Sequence, residues 1–237
     1  MPGRAAGRRV DPPRRGSGQH FLDNGRIASR LVGDAGVTRT DRVVDLGAGT
    51  GVLTAALAER AGSVLAIEIE PSLAGRLARR FAAVANVTVL RADLRDVPLP
   101  CTPYRVVANP PFAHTSAILH RLLDDPGGGL VRADLVVQWQ VARQRVRAQE
   151  RAPVDLTGAT WWPWWQFARG RRLPAASFNP RPSVDAAILT VTRRTVPALP
   201  AGQFTTYRAF LETQFERSPG ASSREGPAWV ERFRTRP

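Results

Sequence analysis

Four groups of residues in this chain have the types and spacing to do chemistry. The run Asp45-Leu46-Gly47-Ala48-Gly49-Thr50-Gly51 sets an acid just ahead of three alternating glycines. Glycine accepts positive φ and lets a bulky ligand press on the backbone, so such a turn suits a nucleoside cofactor. Alone it fits a dinucleotide as well as other nucleosides. Two further acids, Glu68 and Asp93, each stand at the end of an apolar run. Glu68 is placed to accept from a ribose diol, and Asp93 from an adenine amino group. The fourth group is Asn109-Pro110-Pro111-Phe112. Its two acceptors, the Asn109 side-chain oxygen and the Pro110 carbonyl, suit the two N–H groups of an exocyclic amine. Held that way, the nitrogen becomes more pyramidal and its lone pair is freed for attack. Prolines preorganise both acceptors, and the Phe112 ring can stack on an adenine splayed out of its helix.

Each feature also has a plain reading: NPP is usually a turn, and acids commonly cap helices or end strands in water. Their combination weighs against that. A dinucleotide site wants backbone N–H groups aimed at phosphate. S-adenosylmethionine carries an ammonium and a sulfonium and no pyrophosphate, so its site uses carboxylates. Asp45, Glu68 and Asp93 on three successive strand ends therefore favour the methyl donor as cofactor.

The elements that must position these groups follow from periodicity. RVVDL (42–46), SVLAIEI (63–69), VTVLRAD (87–93), YRVVANPPF (104–112, strand and loop) and ADLVVQW (133–139) read as strands. VLTAALAERAG (52–62) and a segment from Pro71 to about Val84 read as helices. Such alternation implies a parallel sheet covered on both faces. TWWPWWQFA (160–168) and VDAAILTVT (184–192) read as a closing antiparallel pair, giving seven strands. Residues 207–218 read as a helix, followed by an Arg-, Ser- and Pro-rich tail. We expect a basic flexible arm over 1–18, a cofactor-binding catalytic domain over 19–194, and a small helical region with a tail over 195–237.

Composition narrows the partner. The 237 residues carry 34 basic side chains, all Arg, against 20 acidic ones, a net charge of +14. A GC-rich genome explains Arg in place of Lys but not the excess, which points to nucleic acid. Arg8, Arg9, Arg14 and Arg15 in the arm, with Arg143, Arg145 and Arg147 after the fifth strand, are the candidate RNA contacts. The single cysteine, Cys101, and three histidines without ligand spacing argue against a disulfide framework and a metal site. No apolar stretch is long enough to span a membrane, and no apolar run follows the basic amino terminus, so a soluble cytoplasmic monomer is expected.

Together these residues resemble the ribosomal RNA adenine N6-methyltransferases. That family includes the Erm methylases of macrolide–lincosamide–streptogramin resistance and the enzymes that dimethylate small-subunit rRNA. The resemblance runs from about Gly18 to about Arg194. Gly18-Gln19-His20-Phe21-Leu22 looks like the family's GQNFL-type segment, which implies that His20 and Leu22 lie over the methionine end of the cofactor. Gly47 and Gly49 resemble its glycine motif, Glu68 its ribose-binding acid and Asp93 its adenine-binding acid. Asn109, Pro110 and Phe112 fall on its catalytic tetrapeptide, and Asn109 also borders the cofactor. Phe178-Asn179-Pro180-Arg181-Pro182-Ser183-Val184-Asp185 is similar to a downstream signature that generic methyltransferases lack. Val136–Arg143 and Trp161–Trp165 look like the actinobacterial Erm branch; the Trp cluster reads equally well as core.

The resemblance implies a Rossmann-like class I S-adenosylmethionine-dependent methyltransferase fold and 23S rRNA as partner. Three departures stand out: Pro110 replaces an Ile or Leu, His20 replaces an Asn, and the region after residue 195 is short and polar. The competing functions are methylation of 16S rRNA, against which the Trp-rich segments argue, methylation of DNA, which NPPF mildly favours, and a non-catalytic nucleic-acid-binding factor on the same fold. Retention of Gly47, Gly49, Glu68, Asp93, Asn109 and Phe112 argues against the last.

Overall fold

A computed structural model describes residues 20–22, 24–147, 154–217 and 224–236. In chain order the main elements are β1 (Phe21–Leu22), α1 (Gly25–Asp34), β2 (Arg42–Leu46), α2 (Val52–Ala58), β3 (Ser63–Glu68), α3 (Pro71–Arg80), β4 (Val87–Arg91) and β5 (Tyr104–Ala108). After these come α4 (Thr115–Leu123), β6 (Leu130–Gln138), α5 (Trp139–Arg147), α6 (Leu156–Trp161), β7 (Trp165–Leu173), β8 (Phe178–Asn179), β9 (Ala186–Arg193), α7 (Phe204–Arg217) and α8 (Gly226–Arg234).

Seven strands form one sheet in the order β4-β3-β2-β5-β6-β9-β7, with β1 and β8 as a separate antiparallel pair. The first five strands of the large sheet run parallel, while β9 is antiparallel to both β6 and β7. Strands buried on both faces need apolar side chains in both alternating sets. Val43, Val64, Val107, Val136 and Ile188 face α1 and α2. Val44, Ile67, Val106, Leu135 and Leu189 face the other layer, built from α4, α6, α7 and α8. Local signals start the helices: Asn24 caps α1, Glu70 caps α3 ahead of Pro71, and the Asp155 side chain accepts from Gly158 N at the start of α6.

The structure departs from the sequence reading in several places. Residues 160–168 are not one strand: α6 ends at Trp161, a turn follows, and β7 starts at Trp165. The aromatic run hid the break because Trp161, Trp164 and Trp165 are all buried core side chains, whichever backbone carries them. Helices α1, α4 and α5 are absent from the sequence reading, although Gly36 just after α1 and Pro126-Gly127 just after α4 are stop signals. The tail after residue 218 contains α8, whose Trp229, Val230 and Phe233 join the same apolar cluster as the sheet. A few apolar residues at helical spacing were masked there by the surrounding arginines. The amino-terminal arm, with Arg8, Arg9, Arg14 and Arg15, lies outside the described residues.

Candidate active site

The glycine turn, Glu68 and the NPPF loop converge at the carboxyl ends of β2, β3 and β5. Gly47, Gly49 and Gly51 all have positive φ, at 75°, 56° and 79°. Gly47 N and Ala48 N both donate to Ile67 O at 2.9 Å, folding the turn back on β3. A Cβ on Gly47 would lie 3.4 Å from Pro111 Cδ and 3.6 Å from Pro110 Cα, so the glycine turn and the proline loop touch. On Gly49 it would lie 2.6 Å from the Phe21 ring, which covers the turn.

Glu68 is only 1% exposed. Gly49 N donates to its Oε2 at 2.8 Å and Glu70 N to its Oε1 at 2.9 Å. The carboxylate thus braces the turn, and each oxygen keeps a lone pair for a further donor. Its neighbour Ile69 is 49% exposed, an apolar face beside the acid that the sequence reading missed. Asp93 is held by Arg95, whose backbone N and Nε each donate to Oδ1 at 2.9 Å. Those hydrogen bonds pull the Asp93 carboxyl down to about 2. An adenine amine can take that carboxylate only as Arg95 turns aside. Arg95 has the freedom to do so, because its side chain is half exposed.

Asp45 is buried, with Thr54 Oγ1 donating to Oδ2 at 2.7 Å and nothing meeting Oδ1. Burial raises its carboxyl to about 7, against the pull of Thr54 and with a smaller push from Glu68. Asn109 has the same signature. Its Nδ2 donates to His20 O at 2.8 Å, while its buried Oδ1 has no partner among the described residues. Two orphaned oxygens flank a small cavity of about 20 Å³ lined by Phe21, Leu22, Asp45, Gly47 and Asn109, among others. Buried acceptors without donors are costly, and an ammonium-bearing ligand and an amine would supply what is missing. The residues therefore fit S-adenosylmethionine, provided that Phe21 moves off the glycine turn to make room.

The amino-terminal segment is fixed by the downstream signature. Phe21 pairs with Asn179 and Leu22 with Phe178, and His20 Nδ1 lies 2.7 Å from Pro180 O. Phe112 sits between the rings of His20, 5.4 Å away, and Phe178, 6.2 Å away. It is half-buried, so part of the ring stays open. The sequence flagged 178–185 only by resemblance; its structural task, holding His20 so that His20 holds Asn109, is a long-range contact no local pattern announces.

The RNA candidates divide. Arg143 and Arg147 are exposed, but Arg145 is not free. It donates to Asp155 at 3.1 Å and lies over the Trp161 ring at 5.6 Å, with its side chain 14% exposed. At about 100° per residue, positions two apart point to opposite sides of a helix, so the trio never shared a face. Among the described residues no group of three or more His, Cys, Asp or Glu could hold a metal. None of the helices there is long and apolar enough to cross a membrane.

Comparison with known proteins agrees with this geometry. The family model described as ribosomal RNA adenine dimethylase matches residues 12–220. An rRNA adenine N-6-methyltransferase from Corynebacterium diphtheriae is 35% identical over 84% of this chain and 76% of its own length. The mycinamicin-resistance protein MyrB of Micromonospora griseorubida is 34% identical over 93% of this chain and 71% of its own length. The crystal structure of the 23S rRNA methyltransferase ErmE superposes with a TM-score of 0.74 at 29% identity, covering 85% of this chain and 82% of that one. With fold, site and relatives in accord, the chain belongs to the ribosomal RNA adenine dimethylase family of S-adenosylmethionine-dependent methyltransferases.

Proposed function

We propose that this protein methylates N6 of an adenine in 23S rRNA and thereby confers resistance of the macrolide–lincosamide–streptogramin type. The observation that carries the chemistry is the Asn109 amide, turned by His20 O so that its orphaned Oδ1 is free to accept. The relatives named for resistance and for 23S rRNA support the substrate. In this reading residues 19–194 hold the chemistry and residues 195–237 add helices to the same fold, while the basic segment 1–18 lies outside the described residues.

S-adenosylmethionine supplies an electrophilic methyl group when bound. Asp45 would hold its ammonium, Glu68 its ribose and Asp93 its adenine, with His20 and Leu22 at its methionine end. Asn109 Oδ1 and Pro110 O accept from the target amine and draw its lone pair out of conjugation with the ring. Phe112 holds the splayed adenine by its face. No strong base is required, because the amine proton becomes acidic only as the N–C bond forms and then passes to water.

The test is direct. The protein is incubated with labelled S-adenosylmethionine and 23S rRNA, 16S rRNA or duplex DNA, and the modified base is mapped by primer extension. Label at an adenine of 23S rRNA is expected. Label only in 16S rRNA or DNA would move the substrate, and no label in any of them would remove the activity.

A further inference from the structure

Strand β7 reaches the carboxyl edge of the sheet through a break in its ladder. Arg169 pairs with Leu189 and Arg172 with Ala187, so three steps along β7 answer two along β9. The extra residue is a bulge, a device that re-aims side chains. Regular alternation would put Arg169 and Arg171 on one face and Arg172 on the other. The bulge instead turns Arg172 to the Arg169 side and leaves Arg171 to pair with Asp34 on α1. Gly170 allows the close approach, since a Cβ there would stand 3.2 Å from Ile188 Cβ.

Both guanidiniums meet one indole. Arg169 lies 4.5 Å and Arg172 5.1 Å from a ring centre of Trp139, the first residue of α5. Arg143 is exposed one turn further along the same helix. Arg172 is answered by Asp185, but no carboxylate of the described residues pairs with Arg169 or Arg143. The cluster is also tied to the amine-holding loop. Trp139 N donates to Asp185 O at 2.9 Å, and Arg172 Nε donates to the Asp185 carboxylate at 2.9 Å. Five residues earlier, Pro180 O meets His20, whose own carbonyl holds Asn109. One bracket of chain thus sets both the orphaned acceptor and the cationic edge.

We propose that Trp139, Arg169 and Arg143, braced by Arg172, form the docking surface for the RNA strand beside the target adenine. The inference rests on the reading that ribosomal RNA is the substrate. Stacked on the ring without a carboxylate partner, the Arg169 guanidinium keeps its forked N–H edge free for phosphate, while Arg172, forked onto Asp185, braces the indole. Side chains already held against the indole also lose less freedom on binding than free ones do. An edge with unanswered positive charge beside the pocket attracts the backbone on either side of a splayed base.

The test compares Arg169→Ala, Arg143→Ala and Arg60→Ala in the full chain. Arg60 is an exposed arginine near the amino ends of the strands and serves as a charge-matched control. Binding of 23S rRNA transcript is measured by anisotropy across a salt series, alongside methylation kinetics and calorimetry with S-adenosylmethionine. Arg169→Ala and Arg143→Ala are each expected to raise KM for RNA roughly tenfold. Each should also lower the salt slope by about 0.7–0.9. The kcat at saturating RNA and the affinity for S-adenosylmethionine should stay at the parental values, and Arg60→Ala should change nothing. Arg169→Lys should recover the slope but only part of the affinity. Equal losses in all three alanine variants, or none in the first two, would overturn the surface. RNA binding without adenine methylation by the parental protein would sink the substrate reading while leaving the docking test intact. No RNA binding by the parental protein would sink both.

Discussion

The Asn109 amide is oriented by a carbonyl 89 positions away in the chain, and that single bond decides which of its atoms faces the pocket. Because the orphaned Oδ1 would gain most as the amine pyramidalises, its loss belongs to the rate of methyl transfer rather than to binding. Asn109→Ala is expected to lower kcat by ~10²–10³, the usual effect of removing one preorganised polar partner. Cys101→Ser, at an exposed thiol, should leave turnover at the parental rate. Single-turnover measurement of labelled RNA separates the two; equal rates in Asn109→Ala and parent would reduce the NPPF loop to a turn. Asp45 gives a second test at this scale. Burial lifts its carboxyl from the ordinary 3.8 to about 7, so between those pH values the folded chain keeps a proton that the unfolded chain has lost. Stability of the free protein contributed by this group is therefore full below the lower value and declines as pH rises through the window. An ammonium beside Asp45 favours the charged carboxylate, so affinity for S-adenosylmethionine should climb with pH through this range and binding should release a proton. Asp45→Asn should flatten that profile in calorimetry; a parental affinity independent of pH would remove Asp45 from the site.

Elements decide what an individual arginine can do. Arg145 and Arg143 are two residues apart on α5, yet one is spent inside the protein and the other faces out. Arg145 joins α5 to the capping Asp155 of α6 and covers Trp161, so its removal strips a cation–π contact and an ion pair from a largely covered position. Arg145→Ala is expected to cost about 1–2 kcal/mol of stability. Its salt slope for RNA should match the parent. A denaturant titration and the same anisotropy series check this, and a reduced slope with unchanged stability would return Arg145 to the RNA surface. The bulge in β7 makes the same point from the other side. Arg169 and Arg172 are unremarkable in sequence, and only one extra residue in the ladder brings them to one indole.

At the scale of the molecule, the carboxyl-terminal helices are not an appendage resting on the sheet. Tyr207 and Leu211 of α7 and Trp229, Val230 and Phe233 of α8 lie in the same apolar cluster as Trp161, Trp164, Trp165 and the strands beneath them. Trp161 Nε1 and Arg208 of α7 both donate to Asp124 at the end of α4, joining this layer to the helix that follows the NPPF loop. Truncation there should be felt throughout. Trp229→Ala is expected to cost about 3–5 kcal/mol, the usual range for emptying a buried aromatic site. At about 2–4 °C per kcal/mol this lowers Tm by roughly 10 °C, in one cooperative transition. Calorimetry showing a separate low-temperature transition for the carboxyl-terminal helices would contradict a shared core.

Whatever is written locally could be read from the residues alone: the five parallel strands, the inner ones apolar on both faces, and the placement of Gly47, Glu68, Asp93 and Asn109 at or just past their ends. A parallel strand ending in a loop places its last residues at one edge of the sheet wherever the chain goes next, so those positions were legible without coordinates. The tertiary structure decided which atoms of those residues remain available. Glu68 is turned onto the glycine backbone and Asn109 onto His20. It also decided which arginines face water and that three tryptophans fill the core across a helix, a turn and a strand. These depend on contacts between residues far apart in sequence, where burial, pairing and a one-residue bulge override what the same side chains would do in an isolated strand or helix.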